Sequence, residues 1–68
     1  MKVEVGGVYD TLTRTWLPDV KMFEEKISGG WSISIVEHGV QRVEVRGFDK
    51  GSQIMSALVK YEEECYHG

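Results

Sequence analysis

The sequence is short of the devices by which small domains supplement a small core. It has one cysteine, Cys65, so an intramolecular disulfide is excluded. A structural zinc site takes four nitrogen or sulfur ligands in paired spacings. Cys65, His38 and His67 are the only such side chains in the chain, so no metal and no cofactor are expected. No apolar run approaches the roughly 18 residues that a membrane-spanning helix requires. The opening residues do not read as a secretory signal, which leaves a soluble protein in a reducing, cytoplasmic setting as the expectation. Excess positive charge is also lacking. Eight basic side chains stand against 11 acidic ones, a net charge of -3, so nothing draws the whole molecule toward a phosphate backbone.

Catalytic groupings are equally sparse. A nucleophile needs a base within hydrogen-bond reach, yet His38 falls at a hairpin tip and His67 is next to the last residue. Cys65 falls on an apolar stripe, where a thiol behaves as a small hydrophobe. Gly47 and Gly51 bracket Phe48, Asp49 and Lys50 before a helix, but the spacing matches neither a P-loop nor a dinucleotide fingerprint. A non-enzymatic protein is expected.

What the chain does contain is apolar matter enough to fold, 41% of 68 residues, and room for one domain at residues 1–68. Val3 and Val5 alternate, and Thr11, Thr13 and Thr15 alternate with Leu12 and Trp16, which reads as strand with a reversal near Asp10 rather than at Gly6-Gly7. Pro18 and Asp19 predict a helix start, with Val20, Phe23 and Ile27 on one face, Lys21, Glu24 and Glu25 turned outward, and Gly29 as the stop. Trp31 to Phe48 predicts a hairpin around His38-Gly39. A three-residue turn there sets Ile35 opposite Val43 and Ile33 opposite Val45, so that Trp31, Ile33, Ile35, Val43 and Val45 share one buried surface. Ser32, Ser34, Arg42, Glu44 and Arg46 then form a wet opposite face. Asp49 or Ser52 caps a final helix whose Ile54, Leu58, Tyr61 and Cys65 make an apolar stripe broadened by Met55 and Val59. The expected fold is α+β: one antiparallel sheet of about four strands, with a short helix and a longer C-terminal helix on one face, in the order ββαββα.

Three functional readings follow. The acidic run Glu62, Glu63 and Glu64 equals the entire net charge of -3. It lies at a helix C-terminus, where the macrodipole disfavours anions. Either it keeps the protein soluble, or it docks on a basic surface of a larger protein with Tyr66, and with Trp16 near the Leu17-Pro18 corner, as aromatic contacts. A small acidic domain of this kind suits an inhibitor of the type encoded by phages and other mobile elements, acting in the host cytoplasm on a host protein or defence complex. The second reading is a self-associating subunit, such as a homodimer, joined through strand edges or the apolar remainder of the long helix. The third, ranked below both, is nucleic-acid binding through Arg14, Arg42 and Arg46 on the open sheet face.

Overall fold

The computed structural model describes residues 1–64. Strands β1 (Val3–Asp10), β2 (Thr15–Ile27), β3 (Gly30–Glu37) and β4 (Val40–Gly47) are followed by helix α1 (Lys50–Glu64). The strands pair antiparallel in the order β1-β2-β3-β4, and α1 packs across β3 and β4. The α+β class and the four-stranded antiparallel sheet are as expected. The order is ββββα, however, and the residues expected to form a short helix from Asp19 lie inside β2.

The spacing of Val20, Phe23 and Ile27 fits a helix, but the same stretch also alternates. Val20 and Met22 are buried with the core, while Lys21 between them is exposed. The demands of β3 decide between the two. Ile33 and Ile35 are fully buried, and Ser32 and Ser34 nearly so, which makes β3 an interior strand. Its second edge therefore needs a backbone partner, because buried amide and carbonyl groups are almost never left unpaired. β2 supplies it from Val20 opposite Glu37 to Ile27 opposite Gly30. A helix this short is marginal on its own and would leave that edge bare. Glu24, on the helix side opposite Ile33, is neutralised by Lys50 Nζ at 3.2 Å.

The β3–β4 register is the expected one, reached by a different device. Ile35 faces Val43 and Ile33 faces Val45. The turn has two residues rather than three, His38 at φ 50° and Gly39 at φ 79°, the type I′ geometry that matches strand twist. Val36 pairs with Gln41 and Ile35 with Val43, so Arg42 is one extra residue in β4. That bulge returns Val43 and Val45 to the core side.

Helix α1 is capped by Asp49, whose carboxylate accepts the Ser52 amide at 2.9 Å. Ser52, the other expected cap, lies within the helix. The Asp49 carboxyl is held below the usual range by that bond. Ala57 and Tyr61 are buried, with Ile54 and Leu58 packed beside them. Met55 and Val59 point to solvent and do not broaden the stripe, because only one side of the helix meets the sheet. Cys65 lies outside the described residues. Tyr61 donates to Glu37 Oε2 at 2.7 Å, and Arg42 Nε donates to Glu37 Oε1 at 3.1 Å. The Tyr61 hydrogen bond, aided by Arg42 and opposed by partial desolvation, keeps the Glu37 carboxyl below its ordinary value.

Two burial expectations are corrected. Trp31 is on the helix side but only half-buried. Its ring is covered by the ammonium groups of Lys50 at 4.7 Å and Lys26 at 5.1 Å. Ser32 and Ser34, expected to be wet, are almost wholly buried although no helix covers them. Phe23 and Glu25 of β2 lie opposite Ser34 and Ser32 on the same face and flank them, and twist adds to the cover. Lys2 Nζ donates to Gln41 Oε1 at 3.1 Å, from the start of one edge strand to the other edge strand. In a flat sheet those edges would be roughly 14 Å apart, at about 4.8 Å per strand. The two corners therefore curl toward each other over the open face, as the coiling of a twisted sheet allows. The bend in β1 falls at the register shift between Glu4 and Gly6, where Gly6 has φ 146°. The Met1 amino group meets Glu25 at 3.1 Å, and Ser32 Oγ donates to Glu44 at 3.3 Å, so long side chains roof the serines.

Candidate protein-binding surface

The surface is built from the β1–β2 reversal. The Asp10 carboxylate accepts the Leu12 amide and the Thr13 hydroxyl, each at 2.9 Å, and Thr13 and Thr15 share a 2.8 Å hydroxyl contact. This is the side-chain-to-backbone closure that makes aspartate a turn former. Arg14 completes the turn at φ 58°. The reversal is where the alternation placed it, although Thr11 to Arg14 are turn rather than strand. It sets Asp10 opposite Thr15 and Tyr9 opposite Trp16.

Below that pair the two strands fall out of step. Between Tyr9↔Trp16 and Gly7↔Lys21, β1 has Val8 alone while β2 has Leu17 to Val20. Pro18, which has no amide to donate, and Asp19, at φ 55°, occupy the kink. The Asp19 carbonyl accepts the His38 amide at 2.9 Å, and its carboxylate meets His38 Nδ1 at 3.4 Å, which ties the kink to the β3–β4 turn.

The kink folds the Trp16 side chain back onto Gly7, where a Cβ would sit 3.3 Å from ring atom Cε3. Tyr9 meets Trp16 edge to face, centroids 5.2 Å apart at 76°. Both rings remain open to solvent, Trp16 by 65% and Tyr9 by 45%, and Leu12 at the tip of the turn by 75%. Register shows the side on which Trp16 lies, whereas Leu12 lines a cleft with Leu58 and Tyr61. Met22 pairs with Ile35 in the core beneath α1, so Lys21 points the other way, together with its partner Gly7. Trp16, lying on Gly7, is therefore on the sheet face away from the helix.

This placement divides the docking patch expected from sequence. Glu62, Glu63 and Glu64 are exposed on the last turn of α1 and make no ion pair among the described residues. They lie on the helix side and Trp16 on the other. Tyr66 lies outside the described residues. A cleft of about 210 Å³ is lined by Val8, Tyr9, Leu12, Leu58, Tyr61 and Glu62, so one acid of the run and one ring of the aromatic pair border the same cleft at this end of the molecule.

The three arginines are not brought together. Arg14 is in the turn after edge strand β1, whereas Arg42 and Arg46 are on the opposite edge strand β4. Arg42 is held by Glu37 at 3.1 Å and Arg46 by Glu44 at 3.6 Å. Sequence reasoning does not single out Tyr9, Leu12 or Lys21. The pairing of Tyr9 with Trp16 requires Thr11 to Arg14 to be turn, and the alternation of Thr11, Thr13 and Thr15, read as strand, conceals it. The signal for Lys21 is hidden when its segment is read as a helix. Among the described residues, no group of three or more His, Cys, Asp or Glu side chains is placed to hold a metal, and no helix is long and apolar enough to cross a membrane.

No family model, curated protein or solved structure matches the chain.

Proposed function

We propose that this domain is a non-catalytic protein-binding module that docks through the sheet face carrying Tyr9 and Trp16. The observation that carries the reading is the 65% exposed indole of Trp16, held in place by Gly7 and Tyr9. Tryptophan and tyrosine dominate interface energetics because each buries a large, stiff surface at small entropic cost. Covering about 150 Å² of exposed aromatic surface is worth on the order of 4 kcal/mol before the costs of association. A small acidic domain acting this way fits an inhibitor of the phage or mobile-element type, which blocks a surface of a larger host protein by occupying it.

The strand edges favour docking by side chains over strand addition. Pairing along β1 is broken by two register shifts. β4 carries the Arg42 bulge and the charged Glu44 and Arg46. Bulges and charges are the means by which edges resist pairing with another chain, which also weighs against self-association by that route.

The test is cross-linked recovery of partners from a bacterial lysate with the wild-type chain, Trp16→Ala and a triple Glu62→Ala, Glu63→Ala, Glu64→Ala variant, each checked for fold by circular dichroism. A specific partner is expected to be lost with Trp16→Ala and kept with the triple variant. Equal recovery with Trp16→Ala overturns the reading, and loss confined to the triple variant moves the surface to the helix.

A further inference from the structure

Resting on that reading, we infer that the partner is a protein that meets this face with an acidic segment, one carboxylate reaching Lys21 while a neighbouring apolar side chain covers Trp16. Both arginines of β4 and the lysine that begins α1 are neutralised within the chain, Arg42 on Glu37, Arg46 on Glu44 and Lys50 on Glu24, and Lys26 lies over the Trp31 ring. Beside Trp16 the cations are not neutralised in this way. Lys21 lies next to the indole, because it pairs with the glycine on which the ring rests. Arg14 is two residues before Trp16, in the turn. Both are exposed, and neither has an ion pair among the described residues. Lys60, also without an ion pair, lies on α1.

The acids on or beside this face are committed or offset, and Glu62, which shares a cleft with Tyr9, approaches from the helix side. Asp10 closes the turn, Asp19 faces His38, and Glu4 lies farther along the strand opposite Phe23. What remains is a tryptophan, a tyrosine, an arginine and a lysine at one edge of an open sheet face. The first three are the residue types most enriched where interfaces concentrate their binding energy, and the uncompensated cations set the sign of the partner's charge.

Other occupants fit less well. A second copy laid face to face would bring two patches of the same charge together, at a cost. A nucleic-acid strand takes a longer cationic track than two side chains on a molecule of net charge -3 provide.

The experiment is a selection of random displayed dodecapeptides on the full chain, with counter-selection on Trp16→Ala. Enriched peptides are expected to carry Asp or Glu beside a large apolar residue. They should lose affinity about tenfold or more on Lys21→Glu, keep it on Lys21→Arg, and weaken as salt is raised. Peptides that need Trp16 but carry Lys or Arg overturn the acidic assignment and leave the docking surface standing. Peptides that bind Trp16→Ala equally well, or a selection that yields no Trp16-dependent peptide, overturn both. A parallel titration with a fifteen-nucleotide oligothymidylate, followed by Trp16 fluorescence in Trp31→Phe, should show no saturable quenching. Saturation there reassigns the face to nucleic acid.

Discussion

Replacing Gly30 by alanine should unfold much of the protein, and the reason lies where β4 leaves the sheet. Gly30 begins β3 at φ 154°, a region essentially closed to residues with a side chain. A Cβ there would run into the Gly47 carbonyl and lie 2.7 Å from the Gly47 carbonyl carbon and 2.8 Å from Phe48 Cα. All three are backbone atoms, so no rotamer change relieves the overlap. Relief requires the β4–α1 junction to lift off β3, taking with it the Trp31 pairing with Gly47. Backbone strain of this kind costs about 1 to 3 kcal/mol, and steric displacement in a packed region adds about 1 to 3 more. A chain of 68 residues has roughly 3 to 10 kcal/mol in total, at 0.05 to 0.15 per residue. Two controls isolate the cause. Gly39→Ala, at φ 79° with nothing within 4 Å, should cost only about 1 to 2 kcal/mol, the left-handed penalty, less a few tenths recovered from the unfolded chain. Gly47→Ala meets only the end of the Gln53 side chain, which can swing away. Urea titrations followed by circular dichroism should rank the midpoints wild type first, Gly39→Ala below it and Gly30→Ala far below both. A Gly30→Ala midpoint equal to that of Gly39→Ala would refute the argument from close backbone approach.

In the core, Ile35→Ala should lose about 2 to 5 kcal/mol by urea titration, whereas Met55→Ala, at a position 64% exposed, should stay within about 0.5 kcal/mol. Acid stability should depend on Tyr61. Because Glu37 has a lowered folded-state pKa, its contribution is present above the unfolded value and lost as pH falls through the folded one. The stability gap between wild type and Tyr61→Phe should therefore be widest above about pH 4.3 and narrow below it in pH-dependent melts; a gap independent of pH would contradict the assignment. Acrylamide should quench Trp31→Phe, in which Trp16 is the emitter, more strongly than Trp16→Phe, in which Trp31 lies beneath Lys26 and Lys50; the reverse order would place the exposed indole wrongly.

Half of the candidate site is legible in the sequence. Trp16 stands out as an aromatic on a weakly amphipathic strand, but its pairing with Tyr9 is hidden while Thr11 to Thr15 are read as strand. The tie to the acidic run does not follow from composition, because Trp16 and Glu62 are joined only through the sheet that separates them. Lys21 escapes notice as long as β2 is taken for a helix. A cation on the outside of a helix is unremarked, but the same cation opposite Gly7 in a sheet lies against the indole.

Local chemistry alone determined the elements whose signals reside in adjacent residues. These are the Asp10 turn, the register of Ile33 and Ile35 on Val45 and Val43, the Asp49 cap and the helix it begins. Only the tertiary structure decided β2, since its apolar spacing suits either period and the choice belongs to the unpaired edge of β3. Tertiary structure likewise buried Ser32 and Ser34, which β2 flanks with Glu25 and Phe23, and drew Lys2 to Gln41, a closure between residues 39 apart that no local pattern records.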